Sequence, residues 1–223
     1  MTEQPLMTDT ASVDVKSIMN TTGFYATEDV LYPSDNHFDI PCLRTDRQAG
    51  FLTVPFVGYG SGRKVSSAKT IHFYVDDYRF ENLWRFPAKL LATKAKAIVE
   101  PNFSTFDTMP LSLGLQFIYK KRWLARYYQE NGLNVYADLN VSSKFYEYNR
   151  LGIPAGYNAF ATRGYANRIN RLEIEYNIAR EISGLDKPNL IVYGGGVHVK
   201  DFCCTHSLVF IHDFMTMKAK TNG

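Results

Sequence analysis

Along the chain, apolar runs of strand length recur with turn signals after them and segments of helical spacing between them. The runs are "TIHFYVDD" (70–77), "KAIVEPN" (96–102), "LNVYADLN" (133–140), "GYNAFATRG" (156–164), "NLIVYGGG" (189–196) and "SLVFIHDF" (207–214), preceded by "GFLTVPFVGYG" (50–60), a strand closed by glycines. Most are too continuously apolar to leave one face in water, which predicts strands buried on both sides. Helical spacing appears in 80–94, interrupted at Pro87. It recurs in 109–132, where Leu113, Phe117, Leu124 and Tyr128 share a face before Asn131-Gly132, and in 169–184, where Ile169, Leu172, Tyr176, Ala179 and Ile182 do so before Gly184. Strands alternating with helices predict an α/β fold with a mainly parallel sheet and crossover helices. A small or distorted (β/α) barrel and an open three-layer sheet both fit this pattern.

Composition narrows the partners. A chain of 223 residues with 45% hydrophobic residues fills one large domain, here 21–223, behind a polar segment, 1–20, predicted to be a mobile arm. The formal charge of +3 does not by itself demand a polyanionic partner, so any nucleic-acid case rests on local clusters. Three cysteines without framework spacing, no basic-then-apolar leader pattern and no long apolar run predict a cytoplasmic protein that neither enters a membrane nor carries disulfides.

In either architecture ligands bind beyond the carboxyl ends of parallel strands, so the last residues of each run are the candidate site. These are Asp76 and Asp77, Glu100 and Asn102, Asp138 and Asn140, Arg163, and Gly194 to Gly196. Carboxylates from separate strands suit a divalent cation, Mg or Mn, held by Asp76, Glu100 and Asp138, or an acid and base pair with Arg163 neutralising substrate charge. The plainer use of Asp and Asn at such positions is to cap the next helix or hold a turn. Period-two alternation sends Asp76 and Asp77 to opposite faces; one is expected in the site and the other at the start of the helix near Phe80.

Other clusters say less. "YKKRWLARYY" (119–128) interleaves cations and rings, so Arg122 and Arg126 are candidates to grip a nucleic-acid backbone, against an ordinary amphipathic helix. Arg163, Arg168 and Arg171 form a second basic group. "GYGSGRKVSS" (58–67) lacks the phosphate-loop order and reads as a surface loop that can act as a basic flap. The His and Cys residues of 198–212 lack zinc spacing, and Ser104 has no histidine partner in view.

The order of "HFYVDDYRFENLW", "VEPNFSTFDTMPLSLGLQ", "KRWLARYYQENGLNV", "LGIPAG" and "LIVYGGG" resembles a family of bacterial, plasmid and phage proteins known as a domain of unknown function, over roughly residues 51 to 196. Carried over position by position, the resemblance singles out Asp76, Asp77, Pro101, Phe103, Ser104, Asp107, Met109, Pro110, Gln116, Arg122, Tyr193 and Gly194. Asn102 stands where that pattern has an acid, which weakens a metal-ligand or base role there. The resemblance implies a shared fold and a mobile-element setting rather than a chemistry. Three expectations follow: a metal-assisted hydrolase acting on nucleic acid or a phosphate-bearing small molecule, a non-catalytic module binding nucleic acid, nucleotide or a host protein, and an assembly component forming a homo-oligomer.

Overall fold

The computed structural model describes residues 30–213, so the arm predicted over 1–20 lies outside the described residues. Seven short strands, β1 (Phe56–Gly58), β2 (Thr70–His72), β3 (Ala97–Val99), β4 (Asn134–Asp138), β5 (Phe160–Arg163), β6 (Leu190–Tyr193) and β7 (Val209–Ile211), form one sheet. Their spatial order equals their sequence order and every pairing is parallel. Crossovers of one hand between successive neighbours put every connection on the same face of the sheet. The other face must then close on itself.

Ring contacts show that it does. β2 and β6 are four strand spacings apart, about 19 Å in a flat sheet. Yet the His72 and Tyr193 ring centroids are 4.5 Å apart, and those of Phe56 and Tyr193 are 6.0 Å apart. The sheet is therefore curled into a half-barrel, between the two architectures that the pattern allowed.

The helices follow the predicted stretches in part. α1 is only Ala88–Leu91, preceded by 3-10 turns at Asp77–Arg79 and Glu81–Leu83, because Pro87 lacks the amide needed to continue a helix from 80. α2 (Leu111–Glu130) is the longest helix, and it buries Gly114, Ile118, Lys121, Ala125 and Tyr128 at alternating spacings of four and three. Leu113, expected on that face, is 39% exposed. α3 (Tyr146–Arg150) was not legible in the pattern. α4 (Ile169–Ser183) ends at Gly184, whose φ of 69° is the left-handed cap predicted there. α5 (Gly196–Thr205) lies in a stretch whose glycines read only as a turn. Among the described residues no helix is long and apolar enough to cross a membrane.

A buried layer of charge ties α2 to the strand ends. Arg122 and Glu100 are both fully buried, with Nη1 donating to Oε1 over 2.7 Å, while Glu100 Oε2 accepts the Asp138 amide at 2.9 Å. Arg122 Nη2 also donates to the Asn149 carbonyl of α3 at 2.7 Å. Next along the helix, Lys121 Nζ donates to the Asp138 carboxylate at 3.0 Å and to its carbonyl at 2.8 Å. The remaining Asp138 capacity is taken by the Tyr74 hydroxyl, the Asn102 amide group and the Asn140 backbone N–H. Two cations from one helix thus meet two carboxylates from β3 and β4, with no lone charge left over in this group. Burying such ions is tolerable only when each is paired and hydrogen-bonded.

Glu175 of α4 is buried on the other side of β5, where Thr162 donates to it. Burial pushes its carboxyl up to about 8, since no cation among the described residues pairs with it directly.

Two outcomes follow. Glu100→Gln leaves the Arg122 charge buried without its partner and should cost about 3–5 kcal/mol in urea unfolding, with part of the loss recovered in Glu100→Gln/Arg122→Met. Glu175 binds its proton in the folded state up to about 8, but loses it near the ordinary value of 4.5 when unfolded. Stability should therefore fall as pH rises between those values, by at most about 1.4 kcal/mol per pH unit from this group, and Glu175→Gln should remove that slope.

Candidate functional site

The strand alternation decides what enters the half-barrel. Ile71 and Phe73 point outward, Phe73 against Phe80 with centroids 5.3 Å apart, and this turns His72 and Tyr74 inward. Thr162 faces α4 and Arg163 faces the interior in the same way. At the carboxyl ends of the strands these side chains open into a cleft of about 980 Å³. This is within the range of small-molecule sites.

The floor of the cleft is aromatic. His72 stacks on Phe56 with centroids 4.5 Å apart and planes 14° apart, and Tyr193 lies against its other neighbours, stacked on Tyr74 at 5.7 Å. The wall is basic. Lys64, Arg79, Arg163, Arg168 and Arg171 line it, against one lining carboxylate, Asp76. Arg163, Arg168 and Arg171 each place the guanidinium carbon 5.6 to 5.7 Å from the centre of the Tyr165 ring. Among the described residues none of these three makes an ion pair with a carboxylate. Arg171 is held by the Val141 carbonyl and by the Tyr146 hydroxyl. The loop carrying Tyr165 is fixed by backbone packing: a Cβ on Gly164 would lie 2.5 Å from the Gly194 carbonyl oxygen, and one on Gly195 2.7 Å from the Gly164 carbonyl carbon. Gly195 also has a φ of 95°.

Of the residues expected at the site, Asp76, Asn102, Ser104, Asn140, Arg163 and Tyr193 line the cleft. Asn102 and Asn140 are joined side chain to side chain and anchored to Asp138, so they present fixed polar groups. Asp76 stands at the rim, its side chain 69% exposed and 3.6 Å from Arg79. Asp77 does not cap a helix; its carboxylate accepts the Ser104 amide and hydroxyl, each at 2.9 Å, and so ties the loop after β2 to the loop after β3. Glu100, Asp138 and Arg122 lie in the bracing layer behind the cleft. Among the described residues no three His, Cys, Asp or Glu side chains are grouped to hold a metal ion, so Asp76, Glu100 and Asp138 do not form such a set.

Gln116 is exposed on α2, and Gly194 forms the turn after β6, donating its amide to Ile211. Asp107 accepts from the Lys144 amide and the Ser143 hydroxyl, which hold its carboxyl below the usual range. The basic and aromatic face of α2 is not a nucleic-acid grip: Arg122 is buried, Arg126 pairs with Glu130 at 2.7 Å, and Trp123 and Tyr127 are buried. Sequence reasoning missed His72, Phe56, Arg79 and Tyr165. The signal for His72 was present, since the alternation applied to the two acids also sets His72 and Tyr74 on one face.

Comparison with known proteins places these features in a family. Residues 32–213 match the model of a domain of unknown function (DUF4417). The chain is 27% identical over 176 residues to the Gene 1 protein of Mycobacterium phage L5, covering 76% of this chain and 77% of that one. It is 30% identical over 110 residues to the Gene 1 protein of Mycobacterium phage D29, covering 47% of this chain and 40% of that longer one. No solved structure matches. With a family match that spans the whole curled sheet and two relatives in phages, the chain belongs to the DUF4417 family, in keeping with the mobile-element setting that its motifs implied.

Proposed function

We propose that the cleft binds a phosphate-bearing ligand of the nucleotide or nucleic-acid class. The observation that carries this is the group of Arg163, Arg168 and Arg171 around one tyrosine ring, with no carboxylate in ion-pair contact. Guanidinium forks suit phosphate oxygens in charge and geometry, and planar guanidinium groups gathered about one ring are held together at the opening. Lys64 and Arg79, which also line the cleft, add to the same field. An aromatic floor below a cationic rim matches the two parts of a nucleotide, whose ring stacks while its phosphate is neutralised.

This reading is of binding. Hydrolysis through Asp76, Glu100 and Asp138 draws no support from the geometry, because Glu100 and Asp138 already meet Arg122 and Lys121. His72 is a poor base, as its burial and the nearby Arg163 push it down to about 3.

Titration of the full chain with nucleoside monophosphates and with a mixed-sequence single-stranded oligonucleotide at low salt tests the proposal. Arg163→Ala and Arg168→Ala should each weaken binding about tenfold or more, and the affinity of the unaltered protein should fall as salt rises. Failure of every probe to bind, or binding that both substitutions leave intact, sinks the reading.

A further inference from the structure

His72 is deeply buried in the floor, with a fractional exposure of 3%, and yet lines the cleft. Its Nδ1 accepts the Tyr74 amide at 3.2 Å, an N–H that can only donate, so the neutral ring carries its proton on Nε2. No hydrogen bond to Nε2 is formed among the described residues, and this nitrogen is not one of the buried unpartnered atoms, so it opens to the cleft and can donate to whatever enters there. The ring cannot turn away: Phe56 covers one face at 4.5 Å, and Tyr193 packs against it at 4.5 Å and 40°. The result is a single N–H held in a fixed plane between aromatic rings.

Given the phosphate-binding reading, on which this step rests, the geometry points to a nucleotide unit bound base-down, with the His72 Nε2–H donating to an acceptor on the edge of the base. A phosphate is the poorer match at this depth, since a doubly charged group would have to shed its water among Phe56, Tyr74 and Tyr193. A flat heteroaromatic ring loses little on that floor, and its carbonyl or ring nitrogen supplies the neutral acceptor. Its phosphate then reaches the arginines of the rim. His72 is in this sense the residue that sets specificity, and Arg163 and Arg168 set affinity.

The probes are the four common nucleoside 5′-monophosphates and ribose 5-phosphate, which has the phosphate and sugar without the base. In the unaltered full chain at least one nucleotide should bind about fivefold or more tighter than ribose 5-phosphate. His72→Phe, which keeps a flat ring but no donor, should bring that nucleotide to the level of ribose 5-phosphate without weakening ribose 5-phosphate itself. Should that variant fail to fold, the unaltered protein still decides: the side-chain nitrogen spectrum should show His72 neutral with its proton on Nε2, and the nucleotide but not ribose 5-phosphate should shift that signal. Equal binding of all five probes overturns the base-down reading and leaves phosphate binding standing, as does a His72→Phe loss shared by ribose 5-phosphate. Absence of binding by all five overturns the base-down reading, and phosphate binding falls with it when the oligonucleotide also fails to bind.

Discussion

The position of the strand ends after β2, β3 and β4 depends on the pairing of two adjacent residues of one helix, Lys121 and Arg122, with Asp138 and Glu100. The strands themselves are three to five residues long and could slide on one another if only their ladders held them. The charges prevent this. Glu100 accepts the Asp138 amide, Asp138 accepts Tyr74 and Asn102, and Asn149 is drawn in through its carbonyl to Arg122, so β2, β3, β4, α2 and α3 share one register. Apolar residues of the same volume would hold the layers together but would not specify which residue meets which.

This layer also explains the electrical character of the cleft. Strand ends supply acids and helices supply bases, and a site containing both would be close to neutral. Here the acids after β3 and β4 face the helix cations behind the sheet, and Asp77 faces Ser104. The arginines after β5 therefore keep their charge toward the opening. A carboxylate at a strand end is commonly read as chemistry, but in this protein Glu100 and Asp138, two of the four, are neutralised behind the cleft and leave it positive.

The alternation of apolar runs and helical stretches was enough to read the parallel α/β plan and to put Asn102, Asn140 and Arg163 at strand ends, where they line the cleft, while Ser104 and Tyr193 were singled out by the family resemblance. These are local properties: a run, a turn and the side of a pleat. What was not legible is pairwise. Nothing near Arg122 in the chain marks it as a partner of Glu100 rather than of solvent, so its charge read as surface. The two acids at 76 and 77 drew the alternation argument to themselves, although β2 ends at His72 and the chain has left the pleat before it reaches them. The extent of curling is likewise set by which side chains meet across the interior, and no periodicity records that.

The strand order has a mechanical consequence. Among the described residues each strand bonds only with the strands next to it in sequence, so the sheet is a ribbon with two free ends, β1 and β7, and its ladders alone do not fix how tightly it is rolled. Across the interior the roll is held by rings, where Phe56 and His72 of the first two strands touch Tyr193 of the sixth. Whatever rests on those rings and also reaches Arg163 touches both halves of the ribbon at once. Such a ligand would act as a clip on the roll and couple occupancy of the cleft to curvature of the sheet.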